Sequence, residues 1–183
     1  MQIPDDLSKT IDALNAIGLP TYVEPGVTGF CPGIQIREGK LYVDPSARVS
    51  GLLHEAGHLS CFPARFRHYV SDNIAAGRRR MFAEADDGNP DSPLYRALLQ
   101  CSDPEATAWA YAFGTHLGFS PETIILDSEY AGNGEHVRTS LVARCYAGIN
   151  GLAAAGFCAV NAMSGRARKL PVFPQLGFWL QTA

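Results

Sequence analysis

No two of the five cysteines form a C-x-x-C pair: Cys31, Cys61, Cys101, Cys145 and Cys158 are widely spaced and odd in number. That speaks against a cysteine zinc knuckle and against a disulfide framework, and leaves most of them as small core residues. Charge is scarce as well. Only 18% of the 183 residues are charged, with a formal net of -3, so nothing draws the chain to phosphate backbones or anionic membranes, and no nucleic-acid or membrane partner is expected. The short basic runs Arg78-Arg79-Arg80 and Arg166-Ala167-Arg168-Lys169 read as solvated helix faces. The opening residues Met1-Gln2-Ile3-Pro4-Asp5-Asp6 carry neither the basic flank nor the apolar stretch of a secretory signal, which makes the cytoplasm the expected location. Between Cys145 and Met163 no residue is charged, yet Asn150, Asn161 and glycines 148, 151 and 156 dilute the hydrophobicity. A buried helix or helix pair is expected there rather than a membrane span.

With 46% hydrophobic residues and no internal repeat or linker, the chain is expected to form one domain over 1–183 around one core. Leu7, Ile11, Leu14 and Ile17 recur at helical spacing over Asp5 to Ile17, before Gly18 and Pro20. Thr21-Tyr22-Val23 is extended. Ile34–Arg37 and Leu41–Val43 alternate around Gly39 and predict a β-hairpin. Asp44 or Ser46 is the expected N-cap of a helix running to about Cys61, where Phe62-Pro63 stops it.

Further on, helical patches at 73–85 and 94–100 flank an Asp/Gly/Asn/Pro loop at 86–91. Ser102-Asp103-Pro104-Glu105 opens a helix to about Leu117, Ser120-Pro121-Glu122 opens another, and a long helical region starts near Glu135. A proline-broken aromatic tail at 171–180 is expected to pack on the body. The class is α+β: mostly helical, with a small N-terminal antiparallel sheet or hairpin packed on the helix that ends at Cys61.

That helix contains Gly51-Leu52-Leu53-His54-Glu55-Ala56-Gly57-His58-Leu59. Four residues of helix advance about 6 Å and turn about 400°, so His54 and His58 share a face and can converge on one ion. Glu55, turned about 100° from His54, can reach a water on that ion without binding the ion itself, and can act as general base. A partly buried histidine pair with a nearby glutamate is the bland alternative. A catalytic zinc takes three protein ligands and an open position. The pattern with a glycine and a third histidine fails, because Cys61 and Ala64 stand there. His68 reads as an exposed loop residue, and His116 lies too far along its helix from its start to share the ion.

Glu105 is the stronger candidate, since Ala108, Trp109 and Ala112 on its stripe are apolar and turn it towards the core. The alternative reading is that it only complements the helix dipole. Glu84, Asp86 and Asp87 are runners-up. Among Tyr69, Tyr111 and Tyr130 no spacing selects an oxyanion donor.

Taken in order, the N-terminal helix, the hairpin ending Gly39-Lys40-Leu41-Tyr42-Val43-Asp44-Pro45, the stretch Arg48 to Leu59 with its HEAGH, and Glu105-Ala106-Thr107-Ala108-Trp109-Ala110 resemble the ImmA/IrrE-like zinc metallopeptidases over about residues 5–118. The resemblance implies zinc held by His54, His58 and Glu105, Glu55 as general base, and a peptide or protein as substrate. Two departures stand out: Ala56 where that family usually has leucine, and 47 residues between His58 and Glu105. The length points to an insertion over 62–101 forming a lid or flap, with residues 120–183 as a helical extension. Cys31, in Gly29-Phe30-Cys31-Pro32-Gly33, is placed like the upstream cysteine ligand of peptide deformylase, but that enzyme's other motifs are absent. A metal-retaining regulatory protein without activity, and a hydrolase of non-peptide amides, are the competing functions.

Overall fold

The apolar stripe of α1 (Asp5–Ala16) is buried at Leu7, Ile11 and Leu14, as its spacing requires. The computed structural model describes residues 3–85 and 89–183. After Gly18, whose φ of 88° ends α1, Asn15 receives the chain into β1 (Thr21–Val23): its amide donates to Thr21 O and its carbonyl accepts from Thr21 N, both at 3.0 Å.

β2 (Ile34–Arg37) and β3 (Lys40–Val43) form the expected hairpin, turned by Glu38 and Gly39 at φ 49° and 76°. Gly39 is needed twice over, because a Cβ there would also stand 2.7 Å from Arg67 O. The sheet as a whole is mixed rather than antiparallel. β1 pairs parallel with β3, Leu41 N donating to Pro20 O and Glu24 N to Val43 O, both at 2.9 Å, giving the order β1-β3-β2. The loop 24–33 carries the chain back before β2 begins, so β1 and β3 run in the same direction.

The buried face of β2 and β3, Ile34, Ile36, Leu41 and Val43, packs on α2 (Val49–Cys61). Neither expected N-cap caps this helix, whose N-cap is Arg48. Asp44 instead accepts from Gly26 N, Ser46 N and Ser46 Oγ, and so fixes the turn before it. A 3₁₀ turn (Ala64–Tyr69), α3 (Ile74–Glu84) and α4 (Pro93–Leu99) fill the stretch between α2 and α5 (Asp103–His116).

The helical region after residue 120 is broken. It contains α6 (Pro121–Ile124), α7 (Glu129–Gly132), α8 (Gly134–Val142), α9 (Ala147–Ala154) and α10 (Ala162–Arg168), with left-handed residues Arg144 and Gly156 at two of the breaks. The charge-free stretch becomes buried α9 and a bridge from Ala159 to Val172. The tail packs on the body: Gln181 N donates to Ser60 O at 2.9 Å, and Arg67 and Trp109 donate to Gln181 O and Trp179 O. Buried apolar residues from Leu7 to Phe173 make one contiguous cluster. Among the described residues, no helix is long and apolar enough to cross a membrane.

Candidate metal centre

α2 and α5 cross at Gly57. A Cβ there would lie 2.3 Å from the Ala106 carbonyl oxygen, so only glycine permits this approach. α9 presses on the same end of α5 from another side: a Cβ at Gly148 or Gly151 would strike Pro104 O or the Glu105 carboxyl. Three glycines thus fix the start of α5 against the histidine pair.

The residue delivered to the pair is Asp103. Its Oδ1 is 3.1 Å from His58 Nε2 and 3.9 Å from His54 Nε2, and the three ligand atoms lie within 4.8 Å of one another. The rings of His54 and His58 meet edge to face, centroids 4.8 Å apart. Glu105 is elsewhere. Its Oε2 accepts from Ser102 N at 3.1 Å and from Ser102 Oγ at 2.5 Å, closing a capping box at the start of α5, and it is buried against Gly151.

Of the other candidates, Glu84 accepts from the Tyr69 hydroxyl, and Asp86 and Asp87 lie outside the described residues. His68 is exposed beside Tyr69, His116 packs against Trp179 at the far end of α5, and Tyr111 packs on Phe173. Tyr130 does come to the site. Its hydroxyl is 2.9 Å from Thr107 Oγ1, and both oxygens are 3.5 Å from His54 Nδ1, where they can hold the ring with Nε2 towards Asp103. His58 Nδ1 is buried without a partner, so that ring is oriented by its other nitrogen and by packing.

Burial governs the protonation states. It pushes His54 down to about 4, helped by the neighbouring His58 and opposed by Asp103, so His54 is neutral at pH 7 and free to donate a lone pair. Asp103 is held below the usual carboxylate range, chiefly by its hydrogen bond with His58. Glu55, only 4% exposed, is raised by burial, with a hydrogen bond from the Cys31 thiol acting against the rise. Cys31 is therefore a neighbour of Glu55, and its own ionisation is pushed up by burial and by Glu55.

The donor set fits zinc. Two imidazoles and a carboxylate are ordinary zinc ligands, and bonds of about 2.0–2.1 Å would set them about 3.4 Å apart. The separations of 3.1 and 3.9 Å from Asp103 bracket that value, and with all three atoms within 4.8 Å of one another the side chains need only draw closer to share one ion. Three ligands leave a fourth position open.

The cluster lies where two clefts meet. One, of about 600 Å³, is lined by Glu55, His58, Asp72, Asn73, Arg78 and Asp103. The other, of about 440 Å³, runs past His54 and is walled by Ala110, Ile124, Ile125 and Tyr130. Phe30, 84% exposed, borders both. The segment 62–101 thus contributes a cleft wall through α3, and the segment after 120 contributes the other through α6 and α7.

Asp103 was the residue that sequence reasoning missed. The signal was present: Ser102-x-x-Glu105 is a capping-box pattern that occupies Glu105 and leaves the acid at the first helical position unassigned. No protein-family model, curated protein or solved structure matches the chain.

Proposed function

We propose that the protein is a zinc-dependent hydrolase acting on peptides, with His54, His58 and Asp103 as ligands and Glu55 as general base. The observation that carries the reading is the placement of a buried carboxylate beside a two-histidine, one-aspartate cluster at the meeting of two open clefts. Zinc held there supplies Lewis-acid activation of a carbonyl and of a water molecule.

The chain's own groups do the rest. Glu55 takes a proton from the attacking water onto its carboxylate and returns it to the leaving amine, and its burial strengthens it for the first of these tasks. Asp103 keeps its charge, and His54 stays neutral with its far nitrogen held at Thr107 and Tyr130. The clefts on both sides accommodate chain on either side of a scissile bond, which supports an extended substrate such as a peptide. The likeness to ImmA/IrrE-like metallopeptidases enters this reading with aspartate, not glutamate, as third ligand.

Digestion of a peptide library by zinc-loaded wild type and Glu55→Gln is the test. Glu55→Gln is expected to keep its zinc and lose at least about 10²-fold in rate. Equal cleavage by both proteins removes Glu55 as the base. Zinc-loaded wild type inert on every peptide removes the peptidase reading and leaves a metal-holding regulatory protein or a hydrolase of other amides.

A further inference from the structure

The basic run Arg78-Arg79-Arg80 is split by the fold. Arg79 and Arg80 are exposed on α3, with Arg80 lying 3.8 Å over the Tyr69 ring. Arg78 turns the other way, into the wall of the larger cleft that also holds Glu55, His58 and Asp103. Its Nε is buried with no hydrogen-bond partner, and among the described residues it forms no ion pair. The Cys101 sulfur shares a hydrogen bond with the guanidinium, but a thiol sulfur is a weak acceptor and its proton is already given to Leu98 O.

The acids nearby are otherwise engaged. Asp72 accepts from Ile36 N at 2.8 Å and Gln35 Nε2 at 3.2 Å, Asp103 faces the histidines, and Glu105 is held by Ser102. Arg78 feels the charge of Asp103, but a half-buried guanidinium with no carboxylate in direct contact is a cost that a ligand can remove, and its fork of donors matches a carboxylate in two-point contact. The smaller cleft offers no such group near its apolar wall of Ala110, Ile124 and Ile125.

From this asymmetry we infer that Arg78 anchors a carboxylate of the substrate on the Glu55–His58 side of the cluster, while the His54 side takes an apolar side chain. The inference rests on the peptide-hydrolase reading for its substrate class. The carboxylate is either the free C-terminus of a peptide or the side chain of an Asp or Glu at the same position.

The test is binding, so that it does not depend on turnover. Zinc-loaded Glu55→Gln protein is titrated calorimetrically with three acetylated tetrapeptides: Ala-Leu-Ala-Ala with a free carboxylate, the same peptide as its amide, and the amide of Ala-Leu-Ala-Glu. One of the two carboxylate peptides is expected to bind at least about tenfold more tightly than the plain amide, and which one does so identifies the source of the carboxylate. Adding Arg78→Gln should erase that preference with amide affinity unchanged, while Arg78→Lys keeps part of it. Equal affinity for all three peptides overturns the inference, as does a preference that survives Arg78→Gln in protein of unchanged melting temperature. Failure of the hydrolase reading is seen separately, as absent cleavage by wild type in protein that still discriminates acid from amide.

Discussion

α2 and α5 meet at the candidate metal centre but contribute to it in opposite ways. α2 offers two histidines from adjacent turns of a helix buried along most of its length, with His58 5% and His54 18% exposed in their side chains. α5 offers its first residue, whose side chain is 81% exposed. The histidine pair is rigid because one helix backbone sets its spacing. Asp103 is placed by the packing of α5 against α2 and α9 and by its contact with His58. The two-histidine half of the site is local geometry, and the approach of Asp103 to it is tertiary geometry.

The largest effect expected is the one that separates the two acids at the start of α5. Asp103→Ala should weaken zinc binding on the order of 10²–10³-fold, the share of one ligand in a structural-type zinc affinity. Glu105→Gln should leave zinc content unchanged and cost about 1 kcal/mol through the weakened cap. Metal analysis after dialysis against a graded chelator, with denaturant melts of the same proteins, decides it. Zinc lost by Glu105→Gln and kept by Asp103→Ala would reverse the assignment.

Why Glu105 looked the better ligand from sequence is instructive. A stripe of apolar residues behind it correctly predicted burial, but burial left open which partner the carboxylate finds, and in the fold that partner is Ser102. The histidine pair on one helix face, the hairpin turn at Gly39 and the stop at Phe62 were legible because each depends on residues within a few positions. The parallel pairing of β1, the breaks after Val142 and the arrival of Tyr130 beside His54 depend on residues far apart in the chain, where spacing carries no information. The glycines at 148 and 151 were visible as dilution of an apolar run. Their use, to let α9 touch the start of α5, appears only in three dimensions.

A second expectation tests the rigid half. His54 titrates near 4 in the fold because burial disfavours its charge, against about 6.5 unfolded. Between those values the unfolded chain binds the proton and the folded one does not, so stability rises with pH across that window. Metal-free protein should therefore lose on the order of 3 kcal/mol from this group as pH falls from about 6.5 to about 4. His54→Asn should flatten that part of the profile, as read by denaturant melts at stepped pH. An equally steep profile in the variant would show that other groups carry it.

The smallest effect probes the contact that joins the two halves. Gly57→Ala adds a Cβ that would stand 2.3 Å from the Ala106 carbonyl, a backbone atom that cannot rotate away. Forcing the helices apart should cost about 1–3 kcal/mol, offset by up to about 1 kcal/mol of helix propensity. Gly51→Ala is the control on the same helix, because its nearest neighbour is Ile34 Cδ1 at 2.9 Å, the end of a side chain that can turn aside. It should gain stability or stay level. Since the spacing of α2 and α5 also sets the reach of Asp103, Gly57→Ala should weaken zinc binding while Gly51→Ala leaves it alone. If Gly57→Ala lowers the melting temperature without touching zinc affinity, Asp103 follows the histidines through the shift. The third ligand would then be held by the metal itself more than by the packing of α5.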